Sequence, residues 1–213
     1  MKPKIILFAS FLFCLFGCAT SKITDSWSIG PDQERFQQVV VLALLPDEKL
    51  KLREALEAHM ADDLCQLDYY TLSALDAYGK DGFCNMCEAE ILEKLKRDQI
   101  DAVVTIALVD QKRQVEFIGE KFKDNLIGNG LFEYQREMSS QVRDSGYYAV
   151  RHFYYWQTNV YRLRDQKLVY SSRTEVLEMN SAETFAHEYG RLILRDMVEK
   201  KIFEGLPKNN IFF

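Results

Sequence analysis

The sequence predicts one α/β domain with a mixed β-sheet of about five strands, arranged as β-α-β-α-β, then an antiparallel hairpin and a C-terminal helix. Three observations support this fold class. Apolar runs of strand length at 38–44 and 101–109 are typical of strands covered on both faces. Helical periodicity separates these runs, and strands joined through helices run parallel. Two long aromatic and β-branched segments, 147–163 and 167–177, flank the polar turn 164–166, which indicates a hairpin.

The first half of the domain alternates strands with helices. Acidic residues after Pro46 favour a helix start, because negative charge is stabilised near a helix N-terminus. Asn85 and Glu88 have the spacing of a capping box for the next helix. The predicted elements here are helices at about 47–66 and 87–97, a strand at 69–75 and a loop at 76–83. We expect the strands 38–44 and 102–109 to be neighbours in the sheet.

The second half contains a long connection and a closing helix. From Ile118 to Gly146 the periodicity is lost, and connections this long are usually either functional or mobile. After the hairpin, Asn180 and Glu183 form a second cap pair, and Gly205 marks the expected stop of the helix. The predicted inward face of this helix consists of Ala182, Phe185, Ala186, Tyr189, Leu192, Ile193 and Met197.

The N-terminus has the features of a secretory signal. Two lysines among the first four residues precede an apolar run that is shorter than the roughly 20 residues of a membrane-spanning helix. Residues 15–18, Leu-Phe-Gly-Cys, resemble the bacterial lipobox, although Phe16 stands where a small or β-branched residue is usual. The resemblance implies that residues 1–17 are a signal peptide and that Cys18 carries a diacylglyceryl thioether.

Lipidation would determine the location of the chain, because several acyl chains on one residue give a lasting membrane anchor. Ala19 after the cysteine resembles the outer-membrane sorting pattern, so we expect an outer-membrane lipoprotein of the bacterial cell envelope that faces the periplasm. The polar residues 18–35 are expected to form the lipidated N-terminus and a flexible tether, with Trp27 docked on the domain. The α/β domain would then occupy 36–213, with a long inserted segment at 118–146.

The composition restricts the class of protein. The chain has 213 residues, with 27 Lys and Arg against 32 Asp and Glu, and a net charge of −5. It shows no concentrated basic face, which nucleic-acid binding requires. Hydrophobic residues make up 47% of the chain, which excludes a disordered protein.

The sharpest chemical candidate is the C-x-x-C motif formed by Cys84 and Cys87. Such a pair can be a redox centre, because a helix N-terminus stabilises a thiolate. If Asn85 caps the helix, however, Cys84 lies outside it, and no strand leads directly into the motif. A structural role is favoured, since disulfides persist in exported proteins. Either Cys84 bonds to Cys87, or Cys65 bonds to one of them.

No other constellation of residues indicates catalysis. No glycine-rich phosphate loop follows a strand, and no Gly-x-Ser-x-Gly turn is present. His59, His152 and His187 share no spacing, and we interpret them as surface or boundary residues. The sequence therefore predicts no catalytic, cofactor-binding or metal-binding residues.

Aromatic residues of the hairpin form a candidate contact surface. Tyr154, Trp156 and Tyr161 belong to the residue types that protein interfaces favour. The alternative is a hairpin whose two faces both pack against helices or loops.

The chain as a whole resembles a group of uncharacterised bacterial envelope lipoproteins. The resemblance rests on the lipobox, the strand IDAVVTIALVD, the hairpin YWQTNVYRLRDQKLVYSSRTE and the amphipathic closing helix. The layout is similar to the lipoprotein modules of curli secretion and of penicillin-binding-protein activation. It implies a non-catalytic module without cofactor, anchored in membrane lipid through Cys18, that acts on an envelope protein partner in assembly or maintenance. Whether it forms an oligomer is left open.

Two alternative functions remain. One is a periplasmic ligand- or glycan-binding module that uses the same aromatic residues, and the other is a thiol-disulfide redox protein at Cys84 and Cys87. A binding module requires a concave pocket beside Tyr154 and Trp156. An interaction protein requires a flat or edge-strand surface there, and a redox protein requires two exposed thiols.

Overall fold

A six-stranded mixed sheet organises the residues that the computed structural model describes, which are 21–30, 35–118, 131–132, 135, 147–179 and 181–205. The strands are β1 Ser21–Ser28, β2 Gln38–Leu44, β3 Tyr70–Ser73, β4 Ala102–Ile118, β5 Tyr147–Arg162 and β6 Lys167–Leu177. The helices are α1 Leu50–Cys65, α2 Ala74–Tyr78, α3 Glu88–Arg97 and α4 Ala182–Glu199, and a 3-10 turn Asp47–Lys49 precedes α1. The strand order is β1-β6-β5-β4-β2-β3, so the α/β class is confirmed with one strand more than expected.

The parallel half of the sheet contains β2, β3 and β4. β2 is parallel to both of its neighbours, and Val41 pairs with Ser73 on one side and Val104 on the other. The prediction that β2 and the start of β4 are neighbours is therefore confirmed. Val39 and Val41 face one hydrophobic core and Val40 faces a second, so the near-continuous apolar run reflects burial on both faces.

The larger core lies on the face covered by α1 and α4. The helical spacing of Phe185, Tyr189, Ile193 and Met197 places them together against the sheet, where all four are buried. The cap of α4 differs from the prediction, because the Ser181 hydroxyl accepts a hydrogen bond from Thr184 N at 3.1 Å.

The end of α4 also differs from the predicted stop at Gly205. The helix ends at Glu199, and Lys201 then adopts a positive φ of 58°. This turn directs Ile202 and Phe203 back into the core, where Phe203 packs edge-on against Tyr69.

The smaller core lies on the opposite face and, among the described residues, covers only the parallel half of the sheet. Its buried members are Val40, Ala74, Leu95, Ile100 and Leu163. Part of the predicted strand 69–75 and loop 76–83 is helical instead, because Ser73 ends β3 and caps α2, accepting from Asp76 N at 3.2 Å.

The predicted flexible tether at 18–35 is wrong for residues 21–28, which form the edge strand β1. β1 pairs antiparallel with β6, and Lys22 forms a 2.8 Å salt bridge to Glu175 directly across the ladder. Ser26 also donates to the Asp196 carboxylate of α4 at 3.2 Å. Trp27 points to the part of the sheet over which no described helix lies (the uncovered face) and is 48% exposed, so its predicted docking is only partial.

Some predictions fall outside the described residues. These are the signal peptide 1–17, the lipidation site Cys18 and the inserted segment 118–146, except for Ile118, 131–132 and 135. Within the described part, no helix combines the length and the apolar character needed to cross a bilayer.

Candidate functional site

The C-x-x-C motif lies in the turn between α2 and α3. Cys84 and Cys87 are both exposed free thiols, which meets the requirement of accessibility for a redox pair. Cys87, rather than Asn85, is the N-cap of α3, and its backbone N–H donates to the Glu90 carboxylate at 2.7 Å. Cys84 is therefore further outside the helix than predicted, and its thiol faces Asp81 at 3.8 Å.

Cys65 lies at the far end of α1 from this motif. Arg53, near the start of α1, donates to the Lys80 carbonyl at 3.4 Å, which places the turn with Cys84 beside that end. Cys65 is the last residue of α1, about 18 Å further along the axis at 1.5 Å per residue. A disulfide requires Cα atoms within about 7 Å, so the predicted pairing of Cys65 with Cys84 or Cys87 does not fit this fold. A Cys84–Cys87 disulfide stays a prediction.

The predicted aromatic contact surface does not exist as one surface. Trp156 is fully buried and packs on Phe185 and Tyr189, with ring centroids 5.1 and 5.9 Å away. Tyr154 lies on the same face of β5 and is partly buried against this core. Tyr161, an odd-numbered residue of the same strand, lies on the opposite face. The aromatic pattern of the hairpin therefore arises mainly from core packing.

Beyond the helices, β4 and β5 continue as a two-stranded ribbon formed by residues 113–118 and 147–152. Arg113 pairs with His152 and Ile118 with Tyr147, whereas β6 pairs with β5 only from Phe153 onward. Six residues of strand span about 20 Å. The ribbon therefore projects from the domain with no third described strand on either edge.

An apolar pair lies in the middle of the ribbon. Val115 and Val150 are directly opposite each other across the ladder, and they are 55% and 36% exposed. Cross-strand β-branched pairs stabilise a ladder, but an isolated two-stranded ribbon is only marginally stable in water. This surface fits the flat, edge-strand type that an interaction protein requires, displaced along β5 from the predicted position at Trp156.

The described part of the chain also contains a cavity of about 430 Å³ at the C-terminal end of β2. β2 contributes Val40 and residues 42–44, Leu45 follows directly after it, and the turn before α3 contributes Phe83 and Cys84. Two cations, Arg53 and Lys80, complete the polar part of its lining. No sequence pattern marks this cavity, because its walls come from five separated segments with no shared motif.

A buried carboxylate fixes the wall of this cavity. Glu57 is fully buried, and one oxygen accepts from Ala43 N and Arg53 Nε, each at 3.0 Å. The other oxygen accepts from the Ser73 hydroxyl at 2.9 Å and from Leu75 N at 2.6 Å. A sequence signal was present, because Glu57 lies in the inward stripe of α1 four residues after Arg53.

Two of the three histidines, His59 and His187, lie close together. His59 Nε2 lies 3.1 Å from the Glu183 carboxylate, and the rings of His59 and His187 are 5.6 Å apart. The spacing in sequence gave no sign of this pair across α1 and α4. Among the described residues, no group of three or more His, Cys, Asp or Glu side chains is arranged to hold a metal ion.

Comparison with known proteins gives similarity of fold only. No protein-family model matches the chain, and no curated protein matches it. The PelC dodecamer structure from Paraburkholderia phytofirmans matches with a TM-score of 0.44 and 10% identity, covering 81% of this chain and 94% of that chain. Lipoprotein GNA1162 from Neisseria meningitidis matches with a TM-score of 0.41 and 13% identity, covering 76% and 99%. With both TM-scores below 0.5, these matches assign neither a family nor a function.

Proposed function

We propose that this chain is a lipid-anchored, non-catalytic protein of the bacterial cell envelope, which acts by contact with another envelope protein through the ribbon. The observation that carries the proposal is the exposed pair Val115 and Val150 in a ribbon that no third described strand covers. The lipobox at residues 15–18 supports the anchor, and Ala19 supports the outer membrane and its periplasmic side.

The edges of the ribbon favour a protein as the partner. β2 pairs with β4 only as far as Ala107, so both outer edges of the ribbon carry backbone N–H and C=O groups without a strand neighbour among the described residues. Such edges accept an additional strand from another protein, and the apolar pair adds hydrophobic contact. A partner that adds a strand would convert a marginal ribbon into part of a three-stranded sheet.

The test is photocrosslinking in native membranes with the full chain. A benzoylphenylalanine at position 115 should give a discrete adduct, whereas the same probe at Tyr70, which is 62% exposed on the β3 edge, should give none. The adduct from position 150 should be lost in Val115→Asp. Gln114→Asp, one residue away on the other face of the ribbon, should retain it.

Equal adducts at positions 115 and 70, or an adduct that survives Val115→Asp, would move the contact surface away from the ribbon. Each variant should first be shown to melt at the wild-type temperature, because a destabilised chain would lose contacts for another reason.

A further inference from the structure

The cavity described above lies where open α/β sheets commonly bind ligands. From the C-terminal end of β2, the chain enters α1 on one face of the sheet, and α3 covers the other face. β2 connects through α1 to β3 on one side, whereas its other neighbour β4 continues to β5 in the opposite direction, so the strand order switches between β2 and β4. Ligands of such sheets bind in the crevice outside the carboxyl ends of the strands at a switch point.

The walls of the cavity are chiefly apolar. Val40 and Leu95 are buried in the smaller core, and Leu42, Phe83, Ile91 and Val103 pack against that core partly buried. Leu44 is 53% exposed, so the cavity is accessible from outside. A volume of about 430 Å³ lies within the range of small-molecule sites.

The charges of the lining have one sign. Arg53 and Lys80 are its charged residues, and no carboxylate belongs to the lining. Glu57 balances the charge of Arg53 through Nε, and its oxygens accept in addition from two backbone N–H groups and the Ser73 hydroxyl. Asp47 pairs with Lys80 at 2.8 Å, but both side chains are substantially exposed, and such a pair is weak. The polar end of the cavity therefore presents two cationic hydrogen-bond donors, each paired with a carboxylate outside the lining, beside an apolar interior.

We propose that this cavity binds a single-chain amphiphile of the long-chain carboxylate class. The alkyl tail lies between the sheet and α3, against Leu42, Ile91 and Val103. The carboxylate lies at the polar end, where it accepts hydrogen bonds from Arg53 and Lys80. The cavity is separate from the ribbon, so this proposal stands independently of the proposed protein contact.

Three exposed thiols in the described part of the chain provide a test with internal controls. Cys84 lines the cavity, whereas Cys65 and Cys87 do not. Membranes that contain the full chain are reduced and treated with iodoacetamide, with and without dodecanoate below its micelle concentration. Mass spectrometry then gives the alkylation rate at each cysteine. Dodecanoate should slow alkylation of Cys84 about tenfold, because a bound tail covers this thiol. The alkylation rates of Cys65 and Cys87 should not change.

Head-group charge and the contribution of Lys80 are tested separately. Dodecyltrimethylammonium, with the same tail and a positive head, should not protect Cys84. Lys80→Gln should raise the dodecanoate concentration for half-protection by ~3- to 10-fold, as expected for one charge-assisted hydrogen bond at a partly exposed site. Lys51→Gln, an exposed lysine of α1 outside the lining, is the matched control and should have no effect.

Three results would overturn the proposal. Unchanged alkylation of Cys84 would show that the cavity does not take the tail. Equal slowing at all three cysteines would show adsorption to the surface of the domain. Equal protection of Cys84 by the cationic and the anionic amphiphile would remove the assignment of the head group. Half-protection at the same dodecanoate concentration in Lys80→Gln and wild type would remove it as well.

Discussion

At the scale of single residues, α1 buries two carboxylates whose surroundings differ. Glu57 and Asp63 are 0% and 4% exposed. Each oxygen of Glu57 accepts two hydrogen bonds, whereas Asp63 Oδ2 has no hydrogen-bond partner among the described residues. A compensated buried charge can be tolerated, but an uncompensated one lowers stability. Gly190 of α4 packs so close to Asp63 that a Cβ there would lie 2.9 Å from Oδ2.

The first residue-scale prediction is that Asp63→Asn stabilises the protein at neutral pH. Burial raises the pKa of the Asp63 carboxyl above its usual 3.8, a shift that nearby His187, His59 and Arg191 partly oppose and Asp62 reinforces. Because the pKa of Asp63 is higher in the folded than in the unfolded chain, its protonated form favours folding. This contribution to stability is complete below pH 3.8 and is lost as the pH rises through the folded-state pKa. At pH 7 the variant should melt about 2 to 5 °C above wild type.

The pH dependence distinguishes this cause from a general packing effect. The difference in Tm between Asp63→Asn and wild type should shrink as the pH falls through the raised folded-state pKa of the wild-type carboxyl toward its ordinary 3.8. Asp62→Asn, next to it but exposed, is the control and should change Tm little at either pH. A difference that stays constant from pH 7 to pH 4 would contradict the assigned cause.

At the scale of elements, β1 is a strand that the sequence pattern did not predict. Its pairing with β6 shifts between Ile23 and Asp25, so Thr24 is an extra residue in the strand. The shift places Ile23 on the face packed against the main core and Trp27 on the uncovered face, although both are odd-numbered. The extra residue interrupts the alternation of inward and outward side chains, so the sequence of this segment resembles a polar, irregular connection.

The prediction for this element is that β1 contributes to stability through Ile23. Ile23→Asp places an unpaired charge against the core and should lower Tm by roughly 5 to 10 °C. Trp27→Asp makes the same kind of change on the uncovered face and should shift Tm by much less. Thermal melting by circular dichroism measures both, and equal shifts would mean that β1 is not packed as described.

The elements that sequence predicted well are those in which one physical cause dominates. Burial on both faces made β2 an apolar run, and its predicted limits agree with the strand Gln38–Leu44. The polar turn at 164–166 likewise determined the hairpin of β5 and β6. The predicted contact surface at Trp156 was wrong because an exposed interface and a buried core both favour a tryptophan at such a position. Prediction also failed for the cavity, because tertiary packing alone brings Arg53 and Lys80 together.

At the scale of the whole molecule, the prediction is that Cys18 anchors the chain. Cells labelled with a clickable fatty acid should incorporate label into wild type and into Cys14→Ala, whose cysteine lies inside the predicted signal peptide. Cys18→Ala should lose the label and the tight membrane association, because acyl chains supply the anchor. Equal labelling of Cys18→Ala and wild type would exclude acylation at this residue.

The position of β1 has a consequence for how far such an anchored protein can reach. The strand starts at Ser21, so two residues would separate an acylated Cys18 from the sheet, a distance of at most about 11 Å. Ser21 pairs with Val176, which in turn pairs with Tyr154, close to the base of the ribbon. An acylated Cys18 and the ribbon would therefore lie at the same end of the sheet. With a ribbon of about 20 Å, a partner would have to lie within a few nanometres of the bilayer that holds the lipid.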